Sequence, residues 1–159
     1  MRKSNAKILH DLLSGSGLKV STAESCTAGR IAHLITLVSG SSEYYSGGAV
    51  TYSPTLKHKL LGVEFQSIEE FGIVSPEVAS AMAEGVLKLT GSDYSVATTG
   101  WADKTGDEHE AAGTVWIAVS GPQGTRTRRF ESHACRKRNI CRFADEALSF
   151  LCEYIAGNL

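Results

Sequence analysis

The stretch Leu18-Lys19-Val20-Ser21-Thr22-Ala23-Glu24-Ser25-Cys26-Thr27-Ala28-Gly29 decides the fold class of this chain. Its first six residues have the apolar and β-branched content of a short strand. Small and polar residues follow, and apolar side chains then recur at helical spacing, at Ile31, Leu34, Ile35 and Val38. A strand that leads through a short turn into a helix is the repeating unit of α/β folds. We therefore predict a helix that begins near Cys26 and packs on a sheet.

Strands and helices alternate along the rest of the chain. Periodicity predicts helices over 5–14, from 54 to 61, from 76 onward and over 137–156, with strands over 45–52, 94–99, 114–120 and 125–131. Ser53-Pro54 and Ser75-Pro76 each combine a good N-cap with a proline at the first helical position. Gly121-Pro122-Gln123-Gly124 predicts the turn of an antiparallel hairpin. The predicted fold is a three-layer α/β/α domain over residues 1–159, with a mixed, mostly parallel sheet of about five strands.

The composition is that of a soluble globular domain. Of the 159 residues, 42% are hydrophobic and 21% charged, and the formal net charge of −1 argues against a general nucleic-acid binder. No apolar run approaches the roughly 20 residues of a membrane span, and the N-terminus lacks a signal-peptide core. These features predict a cytoplasmic protein that neither enters a membrane nor binds nucleic acid. The four cysteines have no paired ligand spacing, so we predict reduced thiols and no metal site.

A second segment carries the residue types of a serine amidohydrolase that works without histidine. Gly40-Ser41-Ser42 is followed by Tyr52 and then by Lys57. A serine hydroxyl becomes a good nucleophile only when a base removes its proton. Lysine is such a base when burial lowers its pKa, and a tyrosine hydroxyl is able to relay the proton. Ser42, Tyr52 and Lys57 are therefore the candidate catalytic residues.

The turn after the first strand has two interpretations. Ser25 and Thr27, with the free backbone N–H groups of a helix start, are suited to hold a phosphate or an oxyanion. The plainer alternative is that they cap the helix. A Cys26–His33 dyad is a further alternative, weaker than a buried cysteine. The tyrosine pair Tyr44-Tyr45 suits either ring stacking on a ligand or core packing, and packing is the default.

Three blocks of the sequence together resemble one family. They are Ser21-Thr22-Ala23-Glu24-Ser25-Cys26-Thr27-Ala28-Gly29, the segment from Gly40-Ser41-Ser42 through Val50-Thr51-Tyr52-Ser53 and Lys57 to Leu61-Gly62-Val63, and Gly72-Ile73-Val74-Ser75 with Gly113-Thr114-Val115-Trp116. In this order and spacing they resemble the CinA C-terminal domain, or PncC, family of nicotinamide-nucleotide amidohydrolases. The resemblance covers about residues 5–155 and is to the stand-alone form.

The resemblance implies an activity and a set of site residues. It implies hydrolysis of nicotinamide mononucleotide to nicotinate mononucleotide and ammonia by a homo-oligomer that needs no cofactor. By motif position the nucleophile falls on Ser42, with Tyr52 and Lys57 handling the proton. The small-molecule nucleotide would contact residues of the motif blocks and of the arginine-rich segment 126–142, for which we select Glu24, Ser25, Thr27, Gly40, Ser41, Gly100, Arg138 and Arg142. A solvated surface explains most of that arginine cluster, a phosphate clamp is its functional alternative, and nucleic acid comes third.

Two segments depart from the family pattern. Where the family carries a Gly-Ile-Ala-Gly-Pro-x-Gly-Gly loop, this chain reads Gly100-Trp101-Ala102-Asp103-Lys104-Thr105-Gly106-Asp107. A carboxylate at Asp103 or Asp107 would disfavour a phosphate unless Lys104 offsets it. The segment 130–138 lacks the family's Gly-Asp pair, which leaves open which arginine has the family role. The alternative function is therefore a catalytically weak or inactive paralogue that binds a nucleotide or regulates another protein.

Overall fold

The sheet lies in the middle of the molecule. The computed structural model describes residues 3–157. Within them, β1 (Val20–Glu24), β2 (Tyr45–Val50) and β3 (Tyr94–Gly100) pair in parallel, with β1 between the other two. β4 (Thr114–Gly121) and β5 (Gly124–Glu131) form the predicted hairpin and extend the sheet antiparallel from β3. The order β2-β1-β3-β4-β5 gives the mixed five-stranded sheet that the sequence predicted.

Six helices in the described residues cover the two faces of this sheet. They are α1 (Asn5–Leu13), α2 (Arg30–Thr36), α3 (Pro54–Leu61), α4 (Phe65–Phe71), α5 (Pro76–Thr90) and α6 (Arg136–Ile155). Apolar side chains of α1, α2 and α6 share one core with the sheet, and those of α3 and α5 share the other. This arrangement confirms the three-layer α/β/α fold. None of these helices, among residues 3–157, is both long and apolar enough to cross a membrane.

Strand alternation explains the two cores. In β3, Val96 points into the core with α6, whereas Ala97 points toward α5. Ala97 pairs in register with Ala23 of β1 and Ala118 of β4, so small side chains form a row under α5. Successive strand side chains alternate between faces, which is why one strand supplies both cores. The row of alanines leaves room for α5 to lie close to the sheet.

Two helices differ from the sequence prediction. α2 begins at Arg30 and not near Cys26, because the turn before it passes through two left-handed residues, Ala28 (φ 48°) and Gly29 (φ 88°). Positive φ interrupts a right-handed helix and favours glycine. α4 was not predicted at all. It is only seven residues long and none of them is fully buried, so its apolar residues Phe65, Ile68 and Phe71 are too few to distinguish a helix by periodicity.

The parallel strands bring three chain segments together at one edge of the sheet. β1, β2 and β3 end at Glu24, Val50 and Gly100, which lie at the same edge because the strands run in one direction. The turn before α2, the segment before α3 and the loop after β3 all leave from there. Open α/β sheets usually bind their ligands at this edge.

Candidate active site

Lys57 is the centre of the candidate site. Ser53 caps α3 by accepting a hydrogen bond from the Leu56 N–H, and Lys57 follows on the first turn with its side chain fully buried. Its Nζ donates to Ser25 Oγ at 2.7 Å and to the Thr51 carbonyl at 2.6 Å. Burial lowers the pKa of Lys57 to about 8, and the neighbouring Cys26 opposes this only in part. An amine with that pKa is able to act as a base near neutral pH.

Ser25, the partner of this amine, is held by the turn that follows β1. Its N–H donates to the Thr98 carbonyl at 3.1 Å, which ties the turn to β3. Ser25 Oγ lies at the wall of a cavity of about 330 Å³, next to Cys26 and close to Tyr52. A hydroxyl that contacts both a low-pKa amine and a cavity has the arrangement of an activated nucleophile.

Glu24 and Thr27 stabilise this turn from its buried side. The buried Glu24 carboxylate accepts hydrogen bonds from the N–H groups of Gly29 (3.1 Å), Ile31 (3.0 Å) and Ala32 (2.9 Å) and from the Thr27 hydroxyl (2.7 Å). Thr27 Oγ1 also lies 2.7 Å from Thr98 Oγ1. The side chains of Glu24 and Thr27 are thus buried and paired with each other and with the backbone, and they do not line the cavity. The capping alternative for Ser25 and Thr27 is wrong, because neither hydroxyl accepts an N–H of the helix, and the Glu24 carboxylate binds those groups instead.

Ser42 does not meet Lys57. It lies exposed in a short 3-10 turn (Ser41–Glu43), before β2 begins, whereas Lys57 follows the far end of that strand. A six-residue strand is about 20 Å long, so Ser42 is at the opposite edge of the sheet from the cavity. Gly40 and Ser41 lie with it. The expected juxtaposition of Ser42 with Lys57 is therefore wrong, and Gly40 and Ser41 do not line the cavity. The serine that lies against the Lys57 amine is Ser25.

Tyr52 lies at the mouth of the cavity. It is 58% exposed, and its hydroxyl accepts a hydrogen bond of 2.9 Å from Arg136 Nη2 at the start of α6. Tyr52 and Ser25 line the same cavity, so the structure brings two of the predicted residues, Tyr52 and Lys57, to one place. Gly100, at the end of β3, also lines the cavity.

The arginine at this cavity is Arg136, which the sequence did not single out. Arg138 and Arg142 instead line a separate surface depression with Cys135, and Arg142 donates to Ser132 Oγ at 3.1 Å. Neither of these two predicted residues lines the cavity that holds Ser25. Other arginines of the cluster form ion pairs within the protein: Arg128 pairs with Glu146 and Glu153, and Arg129 with Glu110 and Glu131. Surface ion pairing thus accounts for much of the cluster.

The loop between β3 and β4 forms the opposite wall. Trp101, Ala102 and Asp103 line the cavity with apolar Ile73 and Val74. The loop is anchored by Glu110, whose carboxylate accepts hydrogen bonds from Trp116 Nε1 (3.0 Å) and Arg129 Nη2 (2.7 Å). The Arg129 guanidinium lowers the pKa of Glu110 to about 2. The departure from the family pattern therefore lies directly on the candidate site.

The remaining alternatives find no support in the geometry. Burial raises the pKa of Cys26 to about 12, so its thiol stays neutral, and His33 is exposed on α2. Tyr44 is fully buried with its ring edge-on to His10, and Tyr45 lies 2.8 Å from Thr22 Oγ1, so both are packing residues. The four cysteines are free. In residues 3–157, no group of three or more His, Cys, Asp or Glu side chains is arranged to hold a metal ion.

Comparison with known proteins gives consistent matches. The sequence profile of the CinA C-terminal domain matches residues 2–155. A CinA-like protein of Flavobacterium psychrophilum is 40% identical over 152 residues, which are 95% of this chain and 36% of that protein. One from Geotalea daltonii is 46% identical over 132 residues, 82% of this chain and 32% of that protein. The chain thus spans about a third of the length of these curated relatives.

Solved structures match over nearly the whole chain. The competence damage-inducible protein A (ComA) of Klebsiella pneumoniae has a TM-score of 0.91 and 28% identity, covering 97% of this chain and 98% of its own. A competence-damaged protein (CinA) superfamily protein of Escherichia coli has a TM-score of 0.88 and 30% identity, covering 94% and 87%.

Proposed function

We propose, because this chain belongs to the CinA C-terminal domain family, that it is an amidohydrolase that converts nicotinamide mononucleotide to nicotinate mononucleotide and ammonia. The observation that carries the proposal is the 2.7 Å hydrogen bond between Lys57 Nζ and Ser25 Oγ at the wall of a cavity. Burying a lysine with a pKa near 8 lowers stability, and such groups cluster at functional sites. A role as the base beside a nucleophile would explain why this lysine is buried despite the loss of stability.

In the first half of the reaction Ser25 becomes acylated. Neutral Lys57 accepts the Ser25 proton as Oγ attacks the carboxamide carbon, and a tetrahedral oxyanion forms. The carbon–nitrogen bond then breaks, and the nitrogen leaves as ammonia after it receives that proton. In the second half, neutral Lys57 takes a proton from water, and the resulting hydroxide attacks the acyl carbon. The bond between that carbon and Ser25 Oγ breaks as Lys57 returns the proton to Oγ, which regenerates the hydroxyl and the neutral amine. The carboxylic acid product loses its own proton to solvent and leaves as a carboxylate.

Groups around Ser25 support these steps. In the described chain, the N–H groups of Cys26 and Thr27 donate no hydrogen bond to another residue. An N–H from the residue after a nucleophile is a common oxyanion donor, so we assign this role to Cys26. Because Arg136 donates to the Tyr52 oxygen, the Tyr52 proton is free to reach the departing amine. Tyr52 would then relay the proton between Lys57 and the leaving group.

The cavity also suits the substrate. Ile73, Val74, Trp101 and Ala102 offer an apolar surface for a pyridine ring. Arg136 is the cation at the mouth, and a guanidinium matches the geometry of a phosphate. These features support a nicotinamide nucleotide, whose ring would enter first with its phosphate toward the mouth.

The proposal includes the homo-oligomer that the resemblance implies. Four apolar side chains on α3 and α4 are each 40% exposed or more, and they are Leu56, Leu60, Phe65 and Phe71. β2 is an edge strand of the sheet. Apolar patches and free edges of this kind are often covered by a second subunit.

The matched pair Ser25→Ala and Ser42→Ala tests the proposal. We expect Ser25→Ala to lower the rate of ammonia release from nicotinamide mononucleotide by about a thousandfold or more, because it removes the nucleophile. Ser42→Ala should stay within about twofold of wild type, since it changes an exposed residue at the other edge of the sheet. Full activity in Ser25→Ala would overturn the assignment. Nucleotide binding without ammonia release by the wild-type protein would instead favour the non-catalytic alternative.

A further inference from the structure

Asp103 places a negative charge at the mouth of the candidate site. Its side chain lines the same cavity as Ser25 and Tyr52. One carboxylate oxygen accepts the N–H of Lys104 at 2.9 Å, and the other lies 3.7 Å from Arg136 Nη1. Arg136 in turn donates to Tyr52, so the guanidinium bridges the β3–β4 loop and the segment before α3.

Asp103 and Arg136 are the charged side chains at the mouth of the cavity. Among the described residues that line it, Arg136 is the only cation and Asp103 the only carboxylate. The other acidic residues of the loop, Asp107, Glu108 and Glu110, do not line the cavity. Asp107 accepts hydrogen bonds from the N–H groups of His109 and Glu110. Lys104 does not line the cavity either. The electrostatic preference at the mouth is thus decided by one ion pair.

We infer that Asp103 is a specificity determinant, which weakens the preference of this site for a phosphorylated amide nucleoside over its unphosphorylated counterpart. The inference rests on the proposed function for its ligands. Arg136 is the group that a substrate phosphate would pair with, and Asp103 competes for it. A phosphate that reaches Arg136 has to come close to the Asp103 carboxylate, which repels it.

The phosphate is the only charge that distinguishes the two ligands. The positive pyridinium ring, which the Asp103 carboxylate attracts, is common to nucleoside and nucleotide, so its contribution cancels in the ratio of their Kd values. Removing the carboxylate should therefore strengthen binding of the nucleotide relative to the nucleoside. This change raises the ratio of the nucleoside Kd to the nucleotide Kd. Because the side chains of Asp103 and Arg136 are 60% and 48% exposed, solvent screens the effect, and we expect a change of about three- to tenfold.

The test measures binding in the Ser25→Ala protein, which prevents turnover. Calorimetry gives the Kd values of nicotinamide riboside and nicotinamide mononucleotide with Asp103 intact, with Asp103→Asn and with Asp103→Lys. We expect the nucleoside-to-nucleotide ratio to rise with Asp103→Asn and to rise further with Asp103→Lys. The difference should shrink at about 0.5 M salt, where the Debye length is only a few ångströms.

Asp93→Asn is the matched control. Asp93 is exposed just before β3, at the opposite edge of the sheet, and accepts the Lys19 N–H at 2.8 Å, which an asparagine oxygen is able to replace. Asp93→Asn removes one negative charge, as Asp103→Asn does, and should leave the nucleoside-to-nucleotide ratio of Kd values unchanged. An unchanged ratio in Asp103→Asn, or an equal rise in Asp93→Asn, would overturn the inference.

The outcomes separate this inference from the proposed function. Ammonia release by the wild type together with an unchanged ratio defeats only the role of Asp103. A shifted ratio in a protein that releases no ammonia defeats only the amidohydrolase. If neither ligand binds, both are overturned.

Discussion

Lys57 has to lose its proton before it is able to accept one from Ser25. In water its amine would remain charged far above neutral pH, but burial of the side chain lowers its pKa to about 8. At pH 7 roughly a tenth of the molecules would then hold the neutral amine. The lowered pKa of Lys57 therefore has two separate consequences, one for the pH dependence of the reaction rate and one for the stability of the folded protein.

The first consequence is a pH-dependent rate. If neutral Lys57 is the base, kcat/KM for ammonia release should rise about tenfold per pH unit below the pKa and level off above pH 8. The measurement is initial rate against pH from about 6 to 9.5. A rate that stays constant from pH 6 to 8 would show that Lys57 is not the titrating base.

The second consequence is that Lys57→Met should stabilise the folded protein while it abolishes activity. Below pH 8 the amine is charged in both states, and the folded state bears the full penalty for a pKa lowered from 10.5 to about 8. Stability from this group then rises between pH 8 and 10.5, because only the unfolded state still binds the proton. At pH 7 we expect Lys57→Met to raise the free energy of unfolding by about 1–2 kcal/mol, less than the full shift because two hydrogen bonds are lost.

Chemical denaturation at pH 7 and pH 10 checks this expectation. The gain should be largest at pH 7 and smaller at pH 10. Lys59→Met, which changes an exposed lysine of the same helix, is the control and should change stability little. A less stable Lys57→Met protein at pH 7 would show that the hydrogen bonds of the amine outweigh its burial.

At the scale of elements, the turn between β1 and α2 is the part that prepares Ser25. Its backbone passes through left-handed Ala28 and Gly29, and the Glu24 carboxylate binds three N–H groups of Gly29 and the first turn of α2. Glu24 makes no contact with the cavity, so its contribution to activity would act through the position of Ser25.

Substitution of Glu24 should affect both stability and turnover. Glu24→Ala leaves several buried donors without an acceptor and should lower the free energy of unfolding by about 3 kcal/mol or more. Glu24→Gln keeps one acceptor oxygen and should lose about 1–2 kcal/mol. In Glu24→Gln we expect kcat to fall at least about tenfold with little change in KM, because Ser25 is misplaced while the cavity remains.

Denaturation curves and steady-state kinetics of the folded variant check this, with Glu69→Gln on exposed α4 as the control. Wild-type kcat in a Glu24→Gln protein of reduced stability would mean that the carboxylate supports the fold alone and does not position Ser25.

At the scale of the whole molecule, the exposed apolar surface of α3 and α4 predicts self-association. If a second copy covers it, the double variant Leu56→Glu/Leu60→Glu should sediment as a monomer, because two charges one helical turn apart would be buried in the interface. Sedimentation equilibrium of wild type and variant measures this. Leu89→Glu, at an exposed site on α5, should leave the assembly intact. A monomeric wild-type protein at micromolar concentration would contradict the proposed homo-oligomer.

The sequence by itself determined the fold class and most of the elements, and it singled out four residues that lie at the candidate site, which are Ser25, Tyr52, Lys57 and Gly100. Periodicity and capping signals act over a few neighbouring residues, so they indicated the sheet, the hairpin and the start of α3 that carries Lys57. The motif blocks indicated the family. α4 was not predicted, because its seven residues are too few for an apolar pattern to distinguish a helix.

Only the tertiary structure decided which serine and which arginine join Lys57. Ser42 is nearer to Lys57 along the chain, yet β2 separates them by its whole length, whereas parallel pairing brings the ends of β1 and β2 together and places Ser25 against the amine. Arg136 likewise contacts Tyr52 although the two are far apart in the chain, because the packing of α6 brings them together. Contacts between residues that are far apart in the chain depend on how strands pair and helices pack, and local patterns do not contain that information.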